Sequence, residues 1–190
     1  MTHASFRELL ATPGVREVCH LRGRLGFMAY HGGALEAATD VVAQRAAERS
    51  GASYYAVLQP KGHEHHIPSH RVSPRDSPRL RAFLAHVDTV ITIHGFGRHG
   101  YWTSLLLGGQ NRPLADHVAA HLRQHLPDYH VETDIDLIPP ELRGMHRDNP
   151  VNLPRQQGLQ IELPAKVRMQ APHTESLIDA LAAAATGWSG

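Results

Sequence analysis

The sequence holds one cysteine, Cys19, in 190 residues, so no internal disulfide can form. That fits a reducing compartment, and a cytoplasmic location is expected. No stretch approaches the ~20 apolar residues that span a bilayer, so no membrane partner is expected. Met1 to Leu10 carries Arg7 and Glu8 but no basic start followed by an apolar core, and does not read as a signal peptide. An excess of either charge is also missing. Nineteen basic and eighteen acidic residues leave +1, which argues against nucleic acid as a partner. No Gly-x-Ser-x-Gly elbow occurs, which argues against a serine hydrolase.

What is abundant is histidine: 16 residues, where even use of the twenty residue types gives about 9.5. Apolar residues make up 42% and charged residues 19%, a globular composition, and residues 1–190 read as a single domain. A chain this long buries roughly 70% of its unfolded surface. After a short helix-like start, strands are predicted over Val15–Arg22, Leu25–Tyr30, Ser53–Leu58, Thr89–Ile93, Tyr101–Leu107, Val131–Ile138 and Leu159–Leu163. Helices are predicted over Leu35–Arg49, Ser77–His86, Pro113–Leu126 and Glu175–Ala185, with a long loop from Pro60 to Pro78. Strands alternating with helices predict an α/β domain with a mixed, largely parallel central sheet flanked by helices.

In such sheets ligands sit beyond the carboxyl ends of the strands. Two apolar strands end there in His-Gly, at His31-Gly32-Gly33 and His94-Gly95, and a third carries a lone acid, Glu162, between Ile161 and Leu163. A buried acid needs a partner or a task. His31 and Glu36 are five residues apart, which on a continuous helix would put them about 140° apart. The glycines between them let His31 end a strand while Glu36 projects back from the first helical turn. With His94 they make two imidazoles and one carboxylate, the ligand set of catalytic zinc sites that keep a position open for water.

The stretches Tyr30-His31-Gly32-Gly33-Ala34-Leu35-Glu36-Ala37-Ala38-Thr39, Thr92-Ile93-His94-Gly95 and Gly158-Leu159-Gln160-Ile161-Glu162-Leu163 resemble the signature segments of the poly-γ-glutamate hydrolase family, in the same order. The resemblance implies a zinc-carboxypeptidase-like fold and one zinc ion per chain on His31, Glu36 and His94. Glu162 would be the general base, and His66 and Asn152 would lie toward substrate. Ala38 stands where the family usually has glycine, and Pro68 where it has threonine. Zinc lowers the pKa of water and polarises a carbonyl, so the implied reaction is hydrolysis of γ-glutamyl amides. Arg71, Arg98 and Arg155 are candidates to hold a substrate carboxylate or the developing anion. The expected partner is thus a carboxylate-bearing peptide or small molecule. An amidohydrolase of small N-acyl amino acids and a non-catalytic metal-binding module are the alternatives.

Other histidines read as background. His63-Glu64-His65-His66 looks like a second metal cluster, but adjacent residues in a polar loop are more often solvated, and only His66 is kept, by the resemblance, toward substrate. His117, His121 and His125 fall four apart on the polar side of a helix whose core stripe is Leu114, Val118 and Leu122. Cys19 reads as a small hydrophobe within a strand.

Overall fold

In the computed structural model, which describes residues 5–190, the apolar runs become one seven-stranded sheet. The reading of the N-terminus falls partly on residues 1–4, outside the described residues. Strands β1 (Arg16–His20), β2 (Leu25–Gly33), β3 (Ser53–Gln59), β4 (Thr89–Phe96), β5 (Ser104–Gly108), β6 (His130–Glu132) and β7 (Gly158–Pro164) lie in the order β1-β3-β2-β4-β7-β5-β6. Pairs β2/β3, β2/β4, β4/β7 and β5/β6 are parallel, while β1/β3 and β5/β7 are antiparallel. The sheet is mixed and largely parallel, as the sequence predicts.

Alternation along the central strands feeds two cores. Phe27, Ala29, Ile91, Ile93, Leu159, Ile161 and Leu163 pack with helices α2 (Thr39–Ser50), α4 (Arg112–His125) and α6 (His173–Gly187). Met28, Tyr30, Tyr55, Val57 and Val90 pack with α1 (Phe6–Leu10), α3 (Pro78–His86) and loop residues Ile67, Val72 and Val151. Cover on both faces is why these strands read as unbroken apolar runs. Each large side chain buried this way contributes about 1.5–3 kcal/mol. By the same period of two, His94 on β4 and Gln160 and Glu162 on β7 belong to the second face. Between β7 and α6, α5 (Ala165–Met169) turns the chain back over the sheet end.

Several boundaries differ from expectation for local reasons. β2 runs on to Gly33, so His31 lies inside the strand. The next helix starts at Thr39 instead of Leu35, because residues 34–38 form a turn in which the Ala34 N–H donates to Gln59 O and the Glu36 N–H to His31 O. Glu36 therefore precedes the helix and is not in its first turn. The strand predicted to reach Ile138 stops at Glu132, where the Glu132 and Asp134 carboxylates accept the backbone N–H groups of Asp134 and Asp136 and replace the sheet ladder with turns. β5 starts at Ser104, after a turn closed by its N–H on Tyr101 O. The Pro60–Pro78 loop contains only a short 3₁₀ turn, Ser69–Arg71. No helix among the described residues is long and apolar enough to cross a membrane.

Candidate metal centre

The register of β2 against β3 shifts between Ala29 and Gly32, and His31 leaves the strand alternation at this irregularity. Two glycines make the turn that follows possible. A Cβ on Gly32 would lie 2.8 Å from Asp40 Cβ; one on Gly33, whose φ is +74°, would lie 2.4 Å from Gln59 O. Asp40 accepts the Gly33 N–H at 3.0 Å. Glu36 is thereby brought back over the strand ends. Its Oε1 lies 2.9 Å from His31 Nδ1 and its Oε2 3.3 Å from His94 Nδ1, with Oε2 also accepting the Gly95 N–H at 2.9 Å.

The outer nitrogens of both rings are tied down. His31 Nε2 lies 2.9 Å from the Ile67 carbonyl, and His94 Nε2 lies 2.9 Å from the Tyr30 hydroxyl. A carbonyl can only accept, so His31 carries its proton on Nε2. Its Nδ1 lone pair then faces the lone pairs of a carboxylate oxygen. Two acceptors at 2.9 Å need a cation between them, a proton or a metal ion. Imidazoles oriented through their second nitrogen, with a shared carboxylate between, are how proteins hold a divalent metal, and the donor set fits one.

Electrostatics point the same way. Burial would raise the Glu36 pKa, but His94 and His31 hold it well below the usual carboxylate range. Burial would lower the His94 pKa, but Glu36 outweighs it and raises it. Glu162, whose backbone pairs with that of His94 across β4 and β7, is only 5% exposed. Burial pushes its pKa up to about 7, with Glu36 adding to the rise and His94 opposing it. A carboxyl poised there exchanges a proton readily near neutral pH.

His31, Glu36, His94 and Glu162 all line one cavity of about 650 Å³. His66 lines it too, away from its loop neighbours, with its ring 4.7 Å from that of His31. Two groupings therefore share His31 and Glu36. One adds His66, with all ligand atoms within 4.8 Å of one another; the other adds His94. His94 is 2% exposed and oriented by Tyr30, whereas His66 is exposed on the cavity wall.

The arginines depart from expectation. Arg98 pairs with Glu141 on the cavity rim at 2.7 Å, Arg155 pairs with Asp88 just before β4, at the opposite end of that strand from His94, and Arg71 is exposed on the 3₁₀ turn. Among the described residues that line the cavity none is lysine or arginine; its remaining basic groups are His70 and His146, whose rings lie 4.9 Å apart. Asn152 is not among the residues lining the cavity; it donates to the carbonyls of Gly144 and His146 and accepts the Gln110 N–H, so it braces the loop. Asn149 lines the cavity.

Three contributors were hidden in the sequence. Tyr30 reads as one more core residue. Gln160 carried a signal, being a polar residue two positions from Glu162 and so on the same strand face. Arg168, 8% exposed, donates to the Leu163 and Ala37 carbonyls and ties the end of β7 to the Glu36 turn. A Cβ on Gly95 would meet its guanidinium at 2.7 Å, which explains the glycine after His94.

The profile of a family described as poly-γ-glutamate hydrolase matches residues 4–178. Among solved structures, a bacteriophage poly-γ-glutamate hydrolase is similar at 19% identity and a TM-score of 0.78, covering 91% of this chain and 89% of its own. A zinc-free apo form of YndL is similar at 19% identity and 0.76, covering 91% and 90%. A gene product of Agrobacterium tumefaciens, Atu2144, follows at 14% identity and 0.57, covering 95% and 98%. At these identities the structures speak for the fold. No curated protein matches the sequence.

Proposed function

Because this chain belongs to the poly-γ-glutamate hydrolase family, we propose that it is a zinc-dependent amidase of γ-glutamyl bonds, with zinc on His31, Glu36 and His94 and Glu162 as general base. The observation that carries this reading is the pair of Nδ1 atoms facing one carboxylate, with a buried acid, Glu162, on the same cavity wall. Zinc held there supplies Lewis acidity, polarising the scissile carbonyl and making water more acidic.

The protein's own groups do the rest. Glu162 removes a proton from water as its oxygen attacks the carbonyl carbon, then delivers that proton to the leaving nitrogen as the C–N bond breaks. The Tyr30 hydroxyl and the Ile67 carbonyl hold the imidazoles in one tautomer. His70 and His146, on opposite loops at the cavity, take the place of the expected arginines in holding a substrate carboxylate. A binding module would have no use for Glu162, since an acid buried in an apolar strand is costly unless it reacts.

The test is Glu162→Gln, with metal content and turnover measured on one preparation against γ-linked glutamate oligomers and N-acyl amino acids. Zinc should remain, and kcat on the oligomers should fall by about 10²–10⁴. Loss of zinc with the rate would make Glu162 a ligand, full activity would remove it as base, and preference for N-acyl amino acids would move the substrate class.

A further inference from the structure

Five buried side chains form an unbroken line of hydrogen bonds from one candidate ligand to the candidate base. His94 Nε2 lies 2.9 Å from the Tyr30 hydroxyl, which donates to Asn149 Oδ1 at 3.2 Å. Asn149 Nδ2 donates to Gln160 Oε1 at 3.0 Å, and Gln160 Nε2 donates to Glu162 Oε1 at 3.0 Å. None of the five is more than 5% exposed.

The direction of each bond is forced. Backbone groups, which cannot swap roles, set both amides: the Val151 N–H donates to Asn149 Oδ1 at 3.3 Å, and the Leu142 carbonyl accepts from Gln160 Nε2 at 3.3 Å. With Asn149 showing its oxygen to Tyr30, the hydroxyl must donate there and accept from His94. That puts a proton on His94 Nε2, so that the neutral ring turns the lone pair of Nδ1 toward Glu36. At the other end Gln160 occupies Oε1 of Glu162, so Oε2 is left for the proton taken in the reaction.

From this we infer that Gln160 is a positioning residue for Glu162, aligned through Asn149 and Tyr30 by the same line that fixes the tautomer of His94. The inference rests on Glu162 being the base. A purely structural polar cluster would need satisfied groups, but not two amides locked so that a donor meets the base and an acceptor meets the hydroxyl that reads His94. Among buried groups such a line is stronger than its separate bonds, because each donor polarises the next.

The experiment is a double-mutant cycle between Gln160→Met, which keeps volume and removes the donor, and Glu162→Gln, measured on metal-loaded protein with γ-linked glutamate oligomers. Alone, Gln160→Met should lower kcat about ten- to a hundredfold, the usual worth of a hydrogen bond to a charged group, with KM within about twofold. Added to Glu162→Gln it should change kcat by less than about twofold, since the group it positions is gone. An equal loss in both backgrounds, or none in the parent, overturns the inference. Full turnover by Glu162→Gln alone would instead overturn the assignment of the base. A readout independent of turnover comes from zinc titration against a chelating indicator. Tyr30→Phe should weaken zinc binding about ten- to a hundredfold, and Gln160→Met should leave it within about twofold; unchanged affinity in Tyr30→Phe would sever the line at His94. If Gln160→Met gives no cooperative melting transition, Asn149→Leu, one link further from Glu162, is read by the same criteria.

Discussion

Two regions of this molecule are rich in histidine, and their chemistry runs in opposite directions. At the ends of β2 and β4, His31 and His94 turn Nδ1 toward Glu36, and the carboxylate raises the His94 pKa against the effect of burial. On α4, His117 and His121 have rings 5.0 Å apart, yet burial and the neighbouring imidazoles His117 and His125 lower the His121 pKa. The outward nitrogens there are spent on the fold: His117 Nε2 donates to the Ala184 carbonyl and His125 Nδ1 to that of His121. Spacing is more regular on the helix than at the strand ends. What separates the two regions is the carboxylate placed between the rings.

The largest effect should come from reversing their roles. His31→Ala with His94→Ala should abolish both metal content and hydrolysis, since only the Glu36 carboxylate of the three-residue set would remain. Replacing His117, His121 and His125 together by glutamine should leave one metal per chain and unchanged turnover. Elemental analysis beside an activity assay checks both variants. Metal retained by the first would remove His31 and His94 as ligands, and metal lost by the second would move the centre to α4.

The turn that makes the difference can be probed next, by two substitutions of opposite sign. Gly33 and Ala38 both have positive φ, +74° and 69°. Gly33→Ala would place a Cβ 2.4 Å from Gln59 O, and Gln59 itself binds the backbone N–H and carbonyl of His65. Strain of about 1–3 kcal/mol should lower Tm by roughly 2–10 °C in a chain of this size. Ala38→Gly relieves a residue held in the left-handed region, and should raise Tm by about 1–3 °C after the entropy of glycine is set against it. Calorimetry on both variants tests this. A stabilised Gly33→Ala would mean that the turn is not the constraint that brings Glu36 back.

These residues also show how far the sequence could be read. His31, Glu36, His94 and Glu162 were legible because each breaks an apolar run at or near a strand end, and short-range rules such as glycine turns and period-two alternation carry that much. The sheet order, mixed with two antiparallel pairings, is legible only as a class, since nothing local says that β5 pairs antiparallel to β7. Glu36 was placed in a helix because Leu35, Ala38 and Val42 have helical spacing; the Ala34 and Glu36 backbone bonds to Gln59 and His31 outweigh that pattern. Arg155 has the charge a substrate carboxylate needs, but charge does not say which end of a strand a loop returns to, and it pairs with Asp88 at the end of β4 opposite His94. Tyr30, Asn149 and Gln160 act through contacts between residues up to 119 positions apart, and such contacts exist only once the sheet has formed.

The smallest effect sharpens the comparison through pH. His121 has a folded pKa below its ordinary value of 6.5, because burial and then His117 and His125 disfavour its charged form. Below about 6.5 the unfolded chain therefore takes up a proton that the folded chain resists. Unfolding is then favoured as pH falls, and this side chain contributes a loss of stability on the acid side that is absent above neutrality. His121→Gln removes the titrating group and keeps a polar side chain on the same face of α4. Its Tm relative to the parent should rise as pH is lowered from 7.5 to 5, with little difference at the upper end. Thermal melts at several pH values decide it: a Tm difference that is flat with pH, or that turns against the variant in acid, would mean that His121 is not held in its neutral form by burial and its neighbours.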